Sequence, residues 1–204
     1  MSHAPVLTPL TSIRFFAALQ LFLFHMHAFH KMQAENSPFT AFDALPPPLI
    51  RLIERGFCST SLFFLLSGFI LAYLYLDPSG QVTVDRRSFW LARLSRVYPL
   101  HLLLMLLLAF PIIQFSEQFG MTGWDVAVSG VLSAGLLQAW VPPYALAWNF
   151  PTWALSVVMF YYLIFPWVAR GTRSWTRRTM AIALAVLPFV SLVPSLPYIA
   201  LTAG

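Results

Sequence analysis

The sequence predicts an all-α bundle of about five to six membrane segments, and three observations lead to this fold class. Only 9% of the 204 residues are charged, whereas about 25% are charged in a typical soluble domain. Hydrophobic residues make up 59% of the chain. Several apolar runs also approach the roughly 20 residues that an α-helix needs to cross the hydrocarbon core. Such a chain has too little polar surface to cover a globule in water.

Six apolar segments follow one another along the chain. Their approximate bounds are 10–30, 57–76, 90–115, 125–141, 151–169 and a last stretch that begins after residue 178. A polar and proline-rich loop at 32–48 separates the first two segments, and a charged turn at 77–89 separates the second from the third. The fourth segment is shorter and less apolar, and it contains Gly130 and Gly135. It is therefore the weakest candidate for a full crossing.

Two arginine clusters predict the orientation of these segments. Arg86, Arg87, Arg93 and Arg96 lie between the second and third segments, and Arg170, Arg173, Arg177 and Arg178 follow the fifth. Arginine-rich loops face the cytoplasm, so an even number of crossings must separate the two clusters. Three apolar segments lie between them, so one must fail to cross. We predict that 125–141 is re-entrant or interfacial and that the N-terminus of this multi-pass plasma membrane protein is cytoplasmic.

Arg14 and His25 lie in the first apolar segment, within "TSIRFFAALQLFLFHMHAFHK". Their spacing is about three helical turns, so both project from one helix face, roughly 16 Å apart along the axis. Ionisable groups inside a membrane usually face a bundle interior or a water-filled cavity. The pair predicts a cavity in which His25 could accept a hydroxyl proton as a general base. Alternatively, Arg14 extends to the lipid headgroups and His25 only hydrogen-bonds a neighbouring helix.

Four arginines at the start of the third segment form a second candidate site. Arg93 and Arg96 are three residues apart and share a helix face, and Arg86 and Arg87 stand just before them. Guanidinium groups bind phosphate oxygens through paired hydrogen bonds, so the cluster could hold a polyphosphate ligand. Attraction to anionic lipid is the simpler explanation of the same residues, and the residue types alone favour it.

Small and polar residues inside two apolar segments are candidate substrate contacts. Ser67 and Gly68 give the second segment a hydroxyl group and a bare backbone patch, and Trp153 and Ser156 begin the fifth. A contact between helices explains the first pair equally well. An interfacial aromatic belt explains Trp153, and a bond to its own helix backbone explains Ser156.

Several other kinds of site have no signature in the sequence. The chain has one cysteine, so it cannot form an internal disulfide, and metal-ligand spacing is absent. No Gly-x-Ser-x-Gly elbow, HExxH pair or phosphate-binding Walker loop occurs. The basic residues are not interleaved with aromatic residues, as they are in many nucleic-acid grooves. We therefore expect no metal and no nucleic-acid partner. The expected partner of the apolar surface is the lipid bilayer.

Four blocks occur in order between about residues 10 and 167. They are "LTSIRFFAALQLFLFH", "SLFFLLSGFILAY", "RRSFWLARLSRVYPLHLL" and "WALSVVMFYYLIFP". The first block carries Arg14 and His25 at a family-typical spacing, the second is similar to Phe-Phe-x-x-Ser-Gly-Phe, and the third to Arg-x-x-Arg-hydrophobic-x-Pro. The fourth is similar to Trp-x-Leu-Ser-x-Glu-x-x-Phe-Tyr. Together they resemble the membrane-bound acyltransferase family 3, the bacterial O-acyltransferases that modify glycans.

The resemblance implies a donor and a set of catalytic residues. Members of this family take an acyl group, commonly acetyl, from cytoplasmic acyl-CoA. By position, His25 would be the catalytic histidine, acting as a base or as a transient carrier of the acyl group. Arg14 would act at the cofactor end of the cavity or on the thioester oxygen. The CoA phosphates would be bound by Arg93 and Arg96, with weaker candidates at Arg86 and Arg87.

The resemblance also implies an acceptor and a location. The acceptor would be a hydroxyl group of a glycan or a lipid-linked sugar, on the outer side of the bacterial inner membrane. Trp153, Ser156, Ser67 and Gly68 occupy motif positions and are the expected substrate contacts. The chain is about half as long as the family's bundle. We therefore expect the single domain of residues 1–204 to be incomplete at its C-terminus, with the remaining spans supplied by a missing half or by another subunit.

One departure from the family pattern leaves other functions open. Val158 stands where the fourth block usually has glutamate, and valine can neither transfer a proton nor accept a hydrogen bond. If that glutamate orients the histidine or the acceptor, activity should be lowered or lost. A catalytically silent membrane-binding or scaffold protein is therefore an alternative. A transporter subunit with Arg14 and His25 along an ion path is a further alternative, although paired discontinuous spans are not evident.

Overall fold

The expected all-α membrane helix bundle is confirmed. The computed structural model describes residues 8–33 and 37–192. Their helices are α1 (Thr8–Gln33), α2 (Pro47–Glu54), α3 (Phe57–Tyr75), α4 (Arg86–Phe115), α5 (Gly123–Ala134), α6 (Trp153–Thr172) and α7 (Arg177–Leu192). These residues include no strand, and the one isolated bridge between Leu76 and Val82 closes the turn between α3 and α4.

Four helices in the described ranges are long and apolar enough to cross a membrane. They are Pro9–Gln33, Phe57–Tyr75, Arg86–Phe115 and Phe150–Thr172. Many of their large apolar side chains are exposed, among them Phe16, Leu106 and Phe110. Such a surface suits lipid tails rather than water. The first, second, third and fifth predicted segments therefore correspond to helices of membrane-spanning length.

The fourth predicted segment, 125–141, forms a short helix followed by irregular turns. α5 has 12 residues and is about 18 Å long, well short of the roughly 30 Å hydrocarbon core. It begins with a capping box between Thr122 and Asp125. Just beyond its end, Leu136 has a φ of 54°, and three 3₁₀ turns follow before α6. This geometry agrees with the prediction of a re-entrant or interfacial segment.

The arginine clusters that flank this region lie at the same end of the bundle. The Nε of Arg173, just beyond α6, donates a hydrogen bond of 3.3 Å to the Ser79 carbonyl in the turn before α4. Arg86 and Arg170 also border one depression. Between the clusters, only α4 and α6 in the described ranges are long and apolar enough to cross a membrane, which agrees with the even number that the charge pattern requires.

The last predicted segment begins with α7, which has 16 residues and is shorter than the four spans. Its remaining residues, 193–204, lie outside the described part of the chain. The predicted single domain over 1–204 and its expected incompleteness therefore remain predictions.

Two polar contacts and a close approach fix α1 against α2, α3 and the turn between them. The Ser59 hydroxyl donates to the Gln20 side-chain oxygen at 2.8 Å, and the Gln20 amide donates to the Leu52 carbonyl at 3.0 Å. A Cβ at Gly56 would lie 2.4 Å from the Phe24 Cβ, so only glycine allows this approach.

α6 packs against α3 through Phe64 and Trp153, and it also contacts α4.

Candidate functional site

A cavity of about 650 Å³ lies among α1, α3, α4 and α6. Its wall includes Arg14 of α1, Ser67 of α3, Arg93 and Arg96 of α4, and Val158 of α6. Each of the four sequence blocks thus contributes at least one lining residue. Residues that are far apart in the chain meet because the four membrane helices pack side by side.

Positive charge dominates this cavity. Arg14, Arg93 and Arg96 line it, and its lining in the described ranges includes no aspartate or glutamate. In the same ranges, the acidic partners of the ion pairs are Glu54 and Asp43, and neither lines this cavity. An unpaired charge away from bulk water is costly, and an opposite charge reduces that cost. The cavity is therefore suited to an anionic ligand.

Aromatic side chains surround Arg93, which is 9% exposed. Its guanidinium carbon lies 4.8 Å from the ring centre of Tyr75, 5.8 Å from that of Tyr162 and 5.9 Å from that of Phe89. One terminal nitrogen donates to the Tyr75 hydroxyl. The buried Nε has no hydrogen-bond partner within the described ranges. Arg93 is thus held in place while keeping donors that a ligand could use.

The other two arginines of the cavity are exposed. Arg96 lies three residues after Arg93 on α4, so the two guanidinium groups extend from neighbouring positions on one helix face. Arg14 approaches from α1, on another wall of the cavity. An anion in the cavity would meet donors from two helices.

His25 lies on the stripe of α1 that faces the cavity. Arg14 and Leu21 both line the cavity, and spacings of seven and eleven residues from Arg14 return to nearly the same angle on a helix. The half-buried His25 ring lies 5.8 Å from the ring of Phe150, centre to centre, and the next residue, Pro151, lines the cavity. His25 itself is not a lining residue. Its position on α1 puts it beside the cavity rim, beyond Leu21 and roughly 16 Å along the axis from Arg14.

The four predicted substrate contacts occupy different environments. Ser67 lines the cavity, whereas Gly68 is exposed and a Cβ there would meet no atom within 4 Å. Trp153 packs against Phe64, with ring centres 6.2 Å apart. Ser156 is buried and donates a hydrogen bond of 2.6 Å to the Leu136 carbonyl. Its hydroxyl therefore satisfies the backbone of the α5–α6 connection.

The two weaker cofactor candidates lie away from the cavity lining. Arg86 lies over the Trp167 ring at 5.3 Å and borders a separate depression, and Arg87 is exposed. Phe89 comes between Arg86 and Arg93 along α4. It is 1% exposed and packs on Phe165, with ring centres 5.4 Å apart. The structure thus groups Arg14, Arg93 and Arg96 and separates Arg86 from them.

His101 and the tyrosines around Arg93 were not predicted as site residues. His101 lines the cavity, is 2% exposed and lies 2.8 Å from the Ser133 carbonyl through its Nε2. A carbonyl only accepts, so Nε2 is the donor in this hydrogen bond. An ionisable residue within the leucine run of α4 was a usable signal. The pairing of Tyr75 with Arg93 depends on a tertiary contact, which the sequence does not display.

Comparison with known proteins gives two similarities. The model of acyltransferase family 3, which is described as an acyltransferase domain, matches residues 9–200. Acyltransferase MdmB of Streptomyces mycarofaciens is 33% identical over an alignment of 196 residues, and the match covers 91% of this chain and 46% of the relative. The chain thus spans about half the length of the curated relative that it matches. No solved structure matches the chain.

Proposed function

The chain belongs to this acyltransferase family, and from this premise we propose that it transfers an acyl group from acyl-CoA to a hydroxyl group. We propose acetyl-CoA as the donor and an extracytoplasmic glycan or glycolipid as the acceptor. The arginine-lined cavity carries the choice of donor. Three guanidinium groups with no carboxylate in the described lining match a ligand that bears phosphate groups.

The donor is proposed to bind with its phosphates at Arg93 and Arg96. The rings of Tyr75 and Tyr162 fix the orientation of Arg93. Its guanidinium group therefore loses little conformational freedom when it binds a phosphate. Arg14 completes the charge of the cavity from α1. The pantetheine arm and the thioester would extend along the apolar part of the cavity toward the rim where His25 lies.

His25 is proposed to move the proton of the reaction. Its imidazole accepts the proton of the acceptor hydroxyl as the new bond forms between that oxygen and the acyl carbon. The bond between the acyl carbon and sulfur breaks, and the proton passes from His25 to the departing CoA sulfur, which leaves as a thiol. The alternative order places the acyl group on the imidazole first and on the acceptor second.

The proposed orientation puts the arginine-rich end in the cytoplasm of a bacterium and the His25 end toward the outside of its inner membrane. Both arginine clusters lie at one end of the bundle, and positive residues concentrate on the cytoplasmic side. Acyl-CoA would then enter from the side on which it is made. The acceptor would meet His25 from the opposite side.

Transfer of the acetyl group from radiolabelled acetyl-CoA tests the proposal. Protein purified into liposomes is given the labelled donor together with glycan extracted from cell envelopes. Label in the glycan that can be released by mild base, as an ester, supports O-acyl transfer. The absence of CoA binding would refute the proposed donor.

A second candidate function is a catalytically silent acyl-CoA-binding protein, and one observation favours it. Val158 lines the cavity, so the position at which the family pattern has a carboxylate faces the proposed ligand without one. The silent form should bind CoA without transferring the acyl group. Val158→Glu should then bring transfer to at least about tenfold above the background rate, since a positioned acid–base group contributes about 10²–10⁴-fold.

The matched control for Val158→Glu is Val157→Glu on the same helix, because Val157 does not line the cavity. Gain of transfer in both variants would contradict an effect of the cavity carboxylate. Transfer by the unmodified protein would exclude the silent function altogether.

Tyr75 is expected to position Arg93 for phosphate binding. Tyr75→Phe removes the hydroxyl that accepts from Arg93 but keeps the ring beneath the guanidinium, so CoA affinity should fall by about 2- to 15-fold, the value of roughly one hydrogen bond. Isothermal titration with CoA measures the effect. The control is Tyr73→Phe, whose exposed ring stacks on Phe69 of the same helix.

A double-mutant cycle separates positioning by Tyr75 from a general loss of structure. In an Arg93→Gln background, Tyr75→Phe should have little further effect on CoA affinity, because the two side chains act as one unit. Equal losses in both backgrounds would show that Tyr75 does not act through Arg93.

A further inference from the structure

A second basic depression lies at the arginine-rich end of the bundle. It has a volume of about 270 Å³ and lies between the start of α4, the end of α6 and the turn that joins α3 to α4. Three arginines line it: Arg86, Arg170 and Arg173. It is too small for a whole CoA molecule but has room for a phosphate-bearing headgroup.

The turn between α3 and α4 gives this depression a defined wall. The Asp77 carboxylate accepts hydrogen bonds from the backbone N–H groups of Ser79 and Gln81 at 2.8 and 2.9 Å. The bond from Gln81, with further bonds from Ser79, lowers the pKa of Asp77, which keeps the carboxylate ionised. Gly80 has a φ of 76°, which glycine adopts without strain. Arg173 is fixed to the same turn through the Ser79 carbonyl.

The charge in this depression is positive. In the described part of the chain, Asp85 is the one carboxylate that lines it. Asp85 caps the N-terminus of α4, where its carboxylate accepts a hydrogen bond of 3.0 Å from the Ser88 N–H. Hydrogen bonds from Ser88 lower the pKa of Asp85, so it remains an anion. None of the three arginines forms an ion pair with a described residue. Asp77 adds a second negative charge in the adjoining turn, where Arg173 helps to lower its pKa. Three cations against these two anions still leave a net positive charge.

Two observations separate this depression from the acyl-CoA cavity and place it at the membrane surface. The buried ring of Phe89, packed on Phe165, lies between Arg86 and Arg93 along α4. Trp167, which Arg86 covers, is 46% exposed, and exposed tryptophans are typical of the membrane–water interface. A lipid headgroup is available at that depth, in a leaflet where basic recesses between helices bind anionic lipids.

We propose that this depression binds the phosphodiester headgroup of an anionic glycerophospholipid, with Arg86, Arg170 and Arg173 as its ligands. The Trp167 ring holds the guanidinium of Arg86 beside the site, and the Ser79 carbonyl holds that of Arg173. The inference does not depend on the proposed acyl transfer. A catalytically silent protein would bind the lipid equally.

Lipid titration followed by native mass spectrometry tests the proposal. The intact protein in neutral detergent is titrated with phosphatidylglycerol and, separately, with phosphatidylcholine. Arg170→Gln combined with Arg173→Gln should weaken phosphatidylglycerol binding by about 10- to 30-fold, from about 1 kcal/mol for each basic residue near an anionic surface. Phosphatidylcholine binding should be weak and unchanged.

The matched control is Arg177→Gln with Arg178→Gln, which removes the same charge from positions that do not line the depression. This pair should change phosphatidylglycerol binding less than about threefold, since exposed charges contribute little. Equal losses in both pairs would show unspecific attraction and overturn the proposal.

A competition arm identifies the source of the phosphate group. Adenosine 3′,5′-bisphosphate and inorganic phosphate are added to the phosphatidylglycerol complex. If the site belongs to a lipid, neither should displace the lipid at millimolar concentration. Displacement by the bisphosphate, lost in the Arg170 and Arg173 variant, would assign the depression to the nucleotide end of CoA and overturn the lipid proposal.

Discussion

Acyl transfer by the His25→Ala variant is expected to fall by about 10²- to 10⁴-fold, because a positioned acid–base group contributes this much to a reaction. CoA affinity should stay within about twofold, since His25 lies at the cavity rim, roughly 16 Å along α1 from Arg14. Initial rates with labelled acetyl-CoA measure the first effect, and isothermal titration with CoA measures the second. A fall in turnover with unchanged binding is the signature of a group that acts on the reacting atoms.

His27→Gln is the matched control for His25→Ala. His27 lies two residues further along α1 but contacts Glu54, at 3.4 Å between Nε2 and Oε1, away from the cavity. Glutamine keeps a nitrogen donor at a similar reach, so transfer should remain within about threefold of the unmodified rate, as expected for an exchange that keeps its hydrogen bond. Equal losses in both variants would show a general effect on α1. Full activity of His25→Ala would remove His25 from the mechanism.

The Arg93→Gln and Arg96→Gln double variant is expected to weaken CoA binding by at least about 100-fold. Each hydrogen bond between a charged pair contributes roughly 1.5–3 kcal/mol, which is about 10- to 150-fold in affinity. The salt dependence of CoA binding should also become shallower, because fewer charges are neutralised on binding. Titration with CoA at two ionic strengths measures both effects.

Arg93→Lys tests whether the planar fork itself is needed. Lysine keeps the charge but loses the paired donors and the stacking on Tyr75, so CoA affinity should fall between the values for the unmodified protein and for Arg93→Gln. Arg177→Gln with Arg178→Gln controls for net charge, since neither residue lines the cavity. Unchanged affinity in the Arg93 and Arg96 double variant would show that the phosphates bind elsewhere.

Much of the fold could be predicted because the bilayer sets the length of a crossing helix. The run from Phe57 to Tyr75 is predicted as a span from the sequence and forms one helix that is long and apolar enough to cross a membrane. The absence of a membrane-length helix at 125–141 could also be inferred, because two arginine clusters required an even number of crossings. The conformation of the connection between α5 and α6 could not be predicted from the sequence, because it depends on contacts with α6. The Ser156 hydroxyl of α6, for example, donates to the Leu136 carbonyl.

The site was harder to predict where tertiary contacts decide the outcome. Arg86 and Arg93 are seven residues apart and share a helix face by periodicity, yet only Arg93 lines the cavity. The packing of Phe89 on Phe165 separates them, and helical spacing does not show that contact. Ser156 has a motif position, but its hydroxyl binds a carbonyl 20 residues earlier in the chain.

The inward face of α1 could be predicted, because a continuous helix fixes the angle between its residues. Arg14 and Leu21 line the cavity as that angle requires. His25 lies on the same stripe but is not a lining residue, so its place in the site stays a prediction. The missing carboxylate at Val158 was also visible in the sequence. Only the structure shows that this side chain lines the same cavity as Arg14 and Arg93.

Photoaffinity labelling with an acyl-CoA whose acyl chain carries a diazirine tests the central claim most directly, namely that one cavity receives the donor. Mass spectrometry of the labelled protein maps the adducts. Adducts are expected on the cavity walls, within residues 60–71 of α3 and 154–162 of α6, and they should disappear with excess CoA and with Arg93→Gln. Adducts confined to other surfaces, or adducts in the cavity that excess CoA does not suppress, would show that the donor does not bind in this cavity.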